Sequence, residues 1–227
     1  MRTNVFKTAF PRTLPVLAGY LSLGIAFGIL LSEAGYGMPY ALMMSVLIFA
    51  GSAQFLCVEL LLAEASLPQT ALLVLLLNFR HFFYGLTMIS RYRGRKRKWY
   101  LIFGLTDETY ALLSADSIPD GVNTDDFYFA VTLLDHLYWI AGSVIGSLVG
   151  TMIPFDMAGI DFAMTALFAV LVVEQWRAHK RHFPALLGFG VAILALRIFG
   201  AESFIIPTLT VVCAVLLLCR KRLEGDV

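Results

Sequence analysis

Several ionisable groups in this chain lie inside apolar runs, where charge is costly. Asp107 and Glu108 sit in GLTDETYAL. Asn78, Arg80 and His81 sit in NFRHFFYG, and Asp135 and His136 in LLDHLYW. The adjacent carboxylates Asp107 and Glu108 suit a cation, an amino group or a transferable proton. They equally suit a helix start, with Thr106 or Asp107 as its cap and the acid favoured by the helix dipole. Arg80 fits either a counter-charge for a carboxylate, from the protein or from a substrate, or a structural ion pair. Asp135 beside His136 could relay protons, because histidine titrates at about pH 6.5. It could instead be a buried pair satisfied by Arg80 or a hydroxyl. Glu59 faces either the same space as Gln54 or the surface near Glu64. Glu174 and Arg197, near the ends of their apolar runs, reach for polar headgroups.

The elements that must hold these groups are membrane helices. The chain has 227 residues, 59% of them hydrophobic and 15% charged, and a mean hydropathy of +0.79. A soluble fold with that surplus would expose large aggregating patches. At about 20 residues per crossing the length allows six to eight spans and no separate soluble domain, so residues 1–227 read as one polytopic domain. The net charge of +1 gives no footing for nucleic acid. Cys57, Cys213 and Cys219 lie in apolar segments without a C-x-x-C pair, which implies neither disulfides nor a metal. The segment Leu14–Leu31 is too long for a signal core and reads as an uncleaved first span.

Basic residues set the topology. Every Lys and Arg except Arg80 and Arg197 falls into one of four clusters, at 2–12, 91–98, 177–181 and 220–222. Such clusters stay in the cytoplasm, so an even number of crossings should separate them. Three apolar stretches lie between the first two clusters (14–31, 39–63, 67–89) and three between the next two (99–114, 127–149, 162–176). Two lie between the last pair. Both odd counts are repaired if one stretch of each set re-enters. The stretches with polar centres are the natural choices: 39–63, with Gly51-Ser52-Ala53-Gln54, and 99–114, with Gly104 and Thr106-Asp107-Glu108-Thr109. Broken backbone at membrane depth needs protein or water around it. Broken segments entering from opposite faces are how inverted-repeat transporters build a midplane site. The expected fold is therefore an all-α integral membrane protein with about six transmembrane helices and two broken or re-entrant segments, arranged as an inverted repeat. Eight crossings, or broken segments that cross unwound, are the alternatives. Gly142, Gly146 and Gly150, interleaved with Ser143 and Ser147, form a small-residue face suited to close helix packing.

At the GSAQ break, free backbone N–H groups would attract a carboxylate. Asp107 and Glu108 would attract an amino group. A zwitterionic amino acid fits both ends, with Phe49, Phe55, Phe82, Phe83, Tyr84 and Tyr110 available to an aliphatic side chain.

In FAGSAQF (Phe49–Phe55), LNFRHFFYG (Leu77–Gly85) and GLTDETYAL (Gly104–Leu112) the chain resembles the AzlC family of branched-chain amino acid permeases. It departs mildly, with Ser52 for a common Ala and Phe79 for a common Leu. The likeness runs from about Phe10 to about Arg181. It implies a bacterial inner-membrane exporter of branched-chain or similar small neutral amino acids; the basic clusters put the N-terminus in the cytoplasm, and no cofactor is expected. It also implies that this large subunit works with a small AzlD-like membrane partner. Carried over, it points to Gly51, Ser52, Gln54, Asn78, Arg80, His81, Thr106, Asp107 and Glu108, of which all but His81 are the candidates for substrate binding. His81, Asp107, Asp135 and His136 are the candidates for proton coupling. A channel, or a transporter of another small polar solute, is the alternative; polar residues here form knots rather than continuous stripes. An enzyme is not expected, because G-x-S-x-G and H-E-x-x-H are both absent from the sequence.

Overall fold

The computed structural model describes residues 5–114, 118, 121–152, 182–200 and isolated positions between 169 and 218. The stretch 162–176, Glu174, the basic clusters at 177–181 and 220–222, Cys213 and Cys219 lie wholly or largely outside the described residues. The chain forms two compact units, Met1–Ile160 and Asp161–Val227. All regular elements among the described residues are α-helices: α1 (Val5–Glu33), α2 (Met38–Leu47), α3 (Gly51–Leu62), α4 (Leu67–Leu77), α5 (Phe79–Tyr92), α6 (Lys98–Phe103), α7 (Asp107–Ser114) and α8 (Thr124–Met152) in the first unit, and α9 (Phe183–Phe199) in the second.

Two helices, α1 and α8, are each 29 residues long and apolar enough to cross a bilayer. At about 1.5 Å per residue either exceeds a hydrocarbon core of about 30 Å. They lie side by side and parallel. Arg12 stacks over Phe127 at one end, Tyr20 meets Trp139 midway, and Ser32 Oγ lies 2.8 Å from Ser147 Oγ at the other. The small-residue face is what joins them. A Cβ on Gly142 would come within 2.8 Å of the Tyr20 carbonyl oxygen, and one on Gly24 within 3.0 Å of Gly142 Cα. Any larger residue at these positions forces the backbones apart.

The remaining helices of the first unit trace the path that charge counting favoured. Tyr20 contacts Phe49 and, one turn-pair further along α1, Phe27 contacts Phe55. So α3 runs in the same direction as α1. It starts midway along the bundle and ends where α1 ends. α2 begins just after α1 and reaches His136 midway, where Ser45 accepts a hydrogen bond from its ring. α2 and α3 are therefore a re-entrant pair entering from the end at which α1 finishes. α4 and α5 form one apolar pair bent by 48°, which returns the chain to the α1 start: Tyr92 packs against Tyr128 and Arg95 pairs with Asp125. α6 then climbs from Arg97 over Phe129 to Phe103 against His136. α7 descends alongside α5, from Tyr84 on Tyr110 to Arg91 donating to the Leu113 carbonyl. α6 and α7 are thus a second re-entrant pair, from the opposite end. The basic segments at the start of α1 and at 91–98 share one end of the unit, as the charge argument requires.

The order is a crossing and a re-entrant pair (α1, then α2–α3), followed by a bent apolar pair and a re-entrant pair of opposite direction (α4–α5, then α6–α7). That is the order of elements an inverted repeat would have. Many large apolar side chains of α4, α5 and α9 face outward, including Leu75, Phe82, Leu86, Leu194 and Ile198, which a lipid environment accommodates. The turn between α2 and α3 holds Phe49 at φ 44°, in the left-handed region. Stacking of its ring on His136, 4.2 Å between centroids, holds this costly conformation in place.

Candidate functional site

Three helix starts converge on one guanidinium. Arg80, in the first turn of α5, reaches Asp107 at the start of α7 (Nη1 to Oδ2, 2.8 Å). Its other arm donates to Ser52 Oγ at the start of α3 (2.9 Å). The local sequence explains why each helix begins there. Asn78 interrupts α4 and, as the residue before α5, accepts the His81 N–H on its carbonyl. Gly104 ends α6 where a Cβ would overlap the methyl of Thr132. Thr106 caps α7 by accepting the Thr109 N–H on its hydroxyl (3.3 Å), while α3 starts after Ala50 with no side-chain cap. The two re-entrant pairs thus present unlike ends. The α3 start offers uncapped N–H groups and Ser52; the α7 start is capped and carries Asp107 and Glu108.

The cluster is only partly covered: the Arg80 and Asp107 side chains are 36% and 28% exposed. Around it lie buried polar atoms without a hydrogen-bond partner, namely Arg80 Nε, Asp107 Oδ1 and Asn78 Oδ1. Unpaired donors and acceptors side by side are what a polar solute or water would satisfy.

Behind the ion pair is a second polar group. Glu108 Oε2 lies 2.7 Å from Tyr20 Oη, which lies 2.7 Å from Thr106 Oγ1. Thr106 Oγ1 is 3.0 Å from Thr109 Oγ1, and Thr109 donates to Asp135 Oδ2 at 2.8 Å. Asp135 is fully buried while Glu108 is not. His136 points elsewhere, with Nε2 3.1 Å from the Ser45 carbonyl and Nδ1 3.0 Å from Tyr100 Oη. The Ser45 carbonyl can only accept, so a proton sits on Nε2. No hydrogen bond joins Asp135 to His136 among the described residues, so the adjacent pair is divided between two networks. Asp135 Oδ2 takes a hydroxyl, one of the two structural partners expected for it, while its Oδ1 has no partner, and Arg80 goes to Asp107 instead.

The residues picked out from sequence therefore fall into groups. Ser52, Arg80 and Asp107 meet directly, with Asn78 beside them. Thr106 and Glu108 belong to the hydroxyl network. Gly51 lets the Trp139 ring pack against the α3 start, 3.0 Å from where a Cβ would be. Gln54 is fully buried, accepting from Trp139 Nε1 (2.9 Å) and donating to Ser45 Oγ (3.3 Å), and so braces the broken helix. His81 has Nδ1 3.1 Å from the Asn78 carbonyl and packs on Tyr84. Tyr20, Thr109, Ser45, Tyr100 and Trp139 complete the site and were not singled out from sequence. Thr109 was within reach, one residue past Glu108. Tyr20, in an apolar span 86 positions before Thr106, gave no local signal.

Two helices long and apolar enough to cross a bilayer, two helix pairs that turn back and a charged cluster at their broken ends define an α-helical membrane protein with a polar site between its helices. The chain belongs to the AzlC protein family, whose model matches residues 15–153. It is 44% identical to the branched-chain amino acid transport protein AzlC of Bacillus subtilis (strain 168) over 220 residues, covering 96% of this chain and 87% of that protein. It is 45% identical to an uncharacterized membrane protein of Helicobacter pylori (strain J99), covering 97% of each. It is 28% identical to the inner membrane protein YgaZ of Escherichia coli (strain K12), over 73% of this chain and 71% of that one. No solved structure matches the chain.

Proposed function

We propose that this protein moves branched-chain or similar small neutral amino acids outward across the bacterial inner membrane, as the large subunit of a pair with a small AzlD-like membrane protein. The observation that carries the reading is the meeting of the α3, α5 and α7 starts at Ser52, Arg80 and Asp107, with unpaired polar atoms around them. A substrate carboxylate would take Arg80 and the uncapped N–H groups of α3; a substrate ammonium would take the open Oδ1 of Asp107. Tyr84 and Tyr110, stacked at 4.5 Å, would flank the aliphatic side chain. The transport protein of Bacillus subtilis, similar over nearly the whole chain, supports the choice of substrate class.

Arg80 also supplies a reason for alternating access. It ties one re-entrant pair with each arm. A bound carboxylate competes for the same guanidinium and loosens one tie while the other holds, which is the differential contact a two-state carrier needs. The test is efflux of radiolabelled leucine and valine from proteoliposomes holding the chain with its partner. Wild type should export both, and Asp107→Asn should lose most of the rate while still inserting. Full-rate efflux by Asp107→Asn and by Arg80→Gln would remove this site from the mechanism. Absence of efflux of any neutral amino acid by the wild-type pair would overturn the function.

A further inference from the structure

The oxygen-to-oxygen contacts behind the ion pair form an unbroken line: Glu108, Tyr20, Thr106, Thr109, Asp135. The distances are 2.7, 2.7, 3.0 and 2.8 Å. Each contact is a hydrogen bond only if one proton lies in it. Three hydroxyls supply one proton each. With both carboxylates ionised, three protons serve four contacts, and one contact would set two oxygen lone pairs face to face. With both protonated there is one proton too many, and the spare has nowhere to go at Asp135, whose Oδ1 is buried without a partner. One added proton fills all four contacts.

We infer that Glu108 and Asp135 hold a single proton between them and exchange it through Tyr20, Thr106 and Thr109. The exchange balances without any other reactant. Asp135 Oδ2 gives its proton to Thr109 Oγ1, Thr109 passes its own to Thr106, Thr106 to Tyr20, and Tyr20 to Glu108 Oε2. Asp135 ends as a carboxylate, Glu108 as a carboxylic acid, and all three hydroxyls have turned round. The two ends differ in access. Asp135 is sealed, whereas Glu108 is partly exposed and next in sequence to Asp107. The wire therefore joins a closed proton store to the side of the bundle that holds Arg80.

Other ionisable groups face this pair from every neighbouring helix. Asp107 on α7 and Arg80 on α5 act on Glu108. Tyr20 on α1 lies within reach of both carboxylates, and Tyr100 on α6 within reach of Asp135. A cationic substrate group arriving at Asp107 would draw negative charge towards Glu108 and so drive the proton to Asp135; departure would reverse it. That use as a coupling device rests on the transport reading. The shared proton itself does not.

Infrared spectroscopy of the purified wild-type chain at pH 7, without substrate, tests the inference. A carboxylic-acid C=O band should be present and should vanish or shift in both Asp135→Asn and Glu108→Gln. On transfer to D2O that band should exchange in the wild type and in Thr109→Ser. In Thr109→Val it should exchange more slowly by about tenfold or more, since one hydrogen bond of the line is gone. Tyr20→Phe breaks the line at a different oxygen and should slow exchange alike, so the measurement stands if Thr109→Val does not fold. No protonated carboxyl, a band untouched by both carboxylate variants, or wild-type exchange in the folded broken-line variants would each overturn the inference. Failure of amino-acid efflux with these spectra intact would retire the transport reading alone.

Discussion

Arg80 bridges two helices that enter from opposite ends, and this bridge can be measured by how its losses combine. Ser52→Ala removes one acceptor of the guanidinium. Arg80→Lys keeps a charged donor for Asp107 but has no second arm for Ser52. Both substitutions thus delete the same 2.9 Å hydrogen bond. A bond to a charged group is worth about 1.5–3 kcal/mol when buried. Arg80 is 36% exposed, so solvent screening brings the expected loss nearer to about 1 kcal/mol. That corresponds to roughly 2–4 °C in the thermal midpoint for a chain of this size. The double variant should cost no more than the larger single one, giving a coupling of about 1 kcal/mol. Thermal unfolding in detergent, followed by loss of the monodisperse peak on size exclusion, reads all four proteins. Costs that simply add, to about 2 kcal/mol in the double variant, would show that Arg80 does not tie Ser52.

Other consequences follow from the packing. Gly28→Ala should destabilise the chain by about 1–3 kcal/mol or prevent its accumulation, because the added methyl would overlap backbone atoms of Ser143 and Ser147. Gly19→Ala on the same helix, with nothing near its Cβ, should be neutral; equal effects of the two would contradict the α1–α8 contact. Trp139→Phe strips the buried Gln54 oxygen of its donor and should cost about 1–3 kcal/mol, read by thermal unfolding, whereas wild-type stability would mean Gln54 is not held there. A water-soluble thiol reagent should modify Ser52→Cys and Asp107→Cys, both partly open, and spare Thr132→Cys, which is fully buried. Protection of the first two under all conditions would leave no aqueous route to the site.

The sequence was most informative where a charge or a break was expensive. Counting basic clusters predicted which stretches turn back, because a misplaced Arg91–Lys98 loop would violate a strong electrostatic rule; the contacts between Tyr92 and Tyr128 and between Arg95 and Asp125 bring the end of α5 to the start of α8. The same logic picked Ser52, Arg80 and Asp107, since charge and broken backbone inside apolar runs need partners. Sequence adjacency misled at Asp135 and His136. Neighbours on a helix are about 100° apart and face different elements, so one joined Thr109 and the other Ser45 and Tyr100. Gln54, a polar residue in the same motif, is fully buried and bonds Trp139 and Ser45, neither of which its sequence neighbourhood indicates. Tyr20 was illegible because its value depends on the α1–α8 register, and that register is set by glycines whose contacts are with backbone.

That register divides the site into a rigid part and a looser one. α1 and α8 approach through glycine faces and are pinned by Ser32 and Ser147, so neither can slide without breaking backbone contact. Tyr20 and Asp135, on these two helices, keep the positions a hydroxyl line needs, since a shift of about 1 Å in any oxygen would open a gap. α4 has no buried residue, and α5 only Met88 and Tyr92, both in its second half. The bent pair that carries Arg80 is therefore lightly held at its hinge, beside Asn78. Motion and proton transfer make opposite demands on packing, and each falls where the structure can meet it. The guanidinium that would release and recapture a carboxylate in the proposed transport cycle rides the lightly buried helix. The carboxylates and hydroxyls that must keep constant spacing lie on or against the pair that glycine lets lock together.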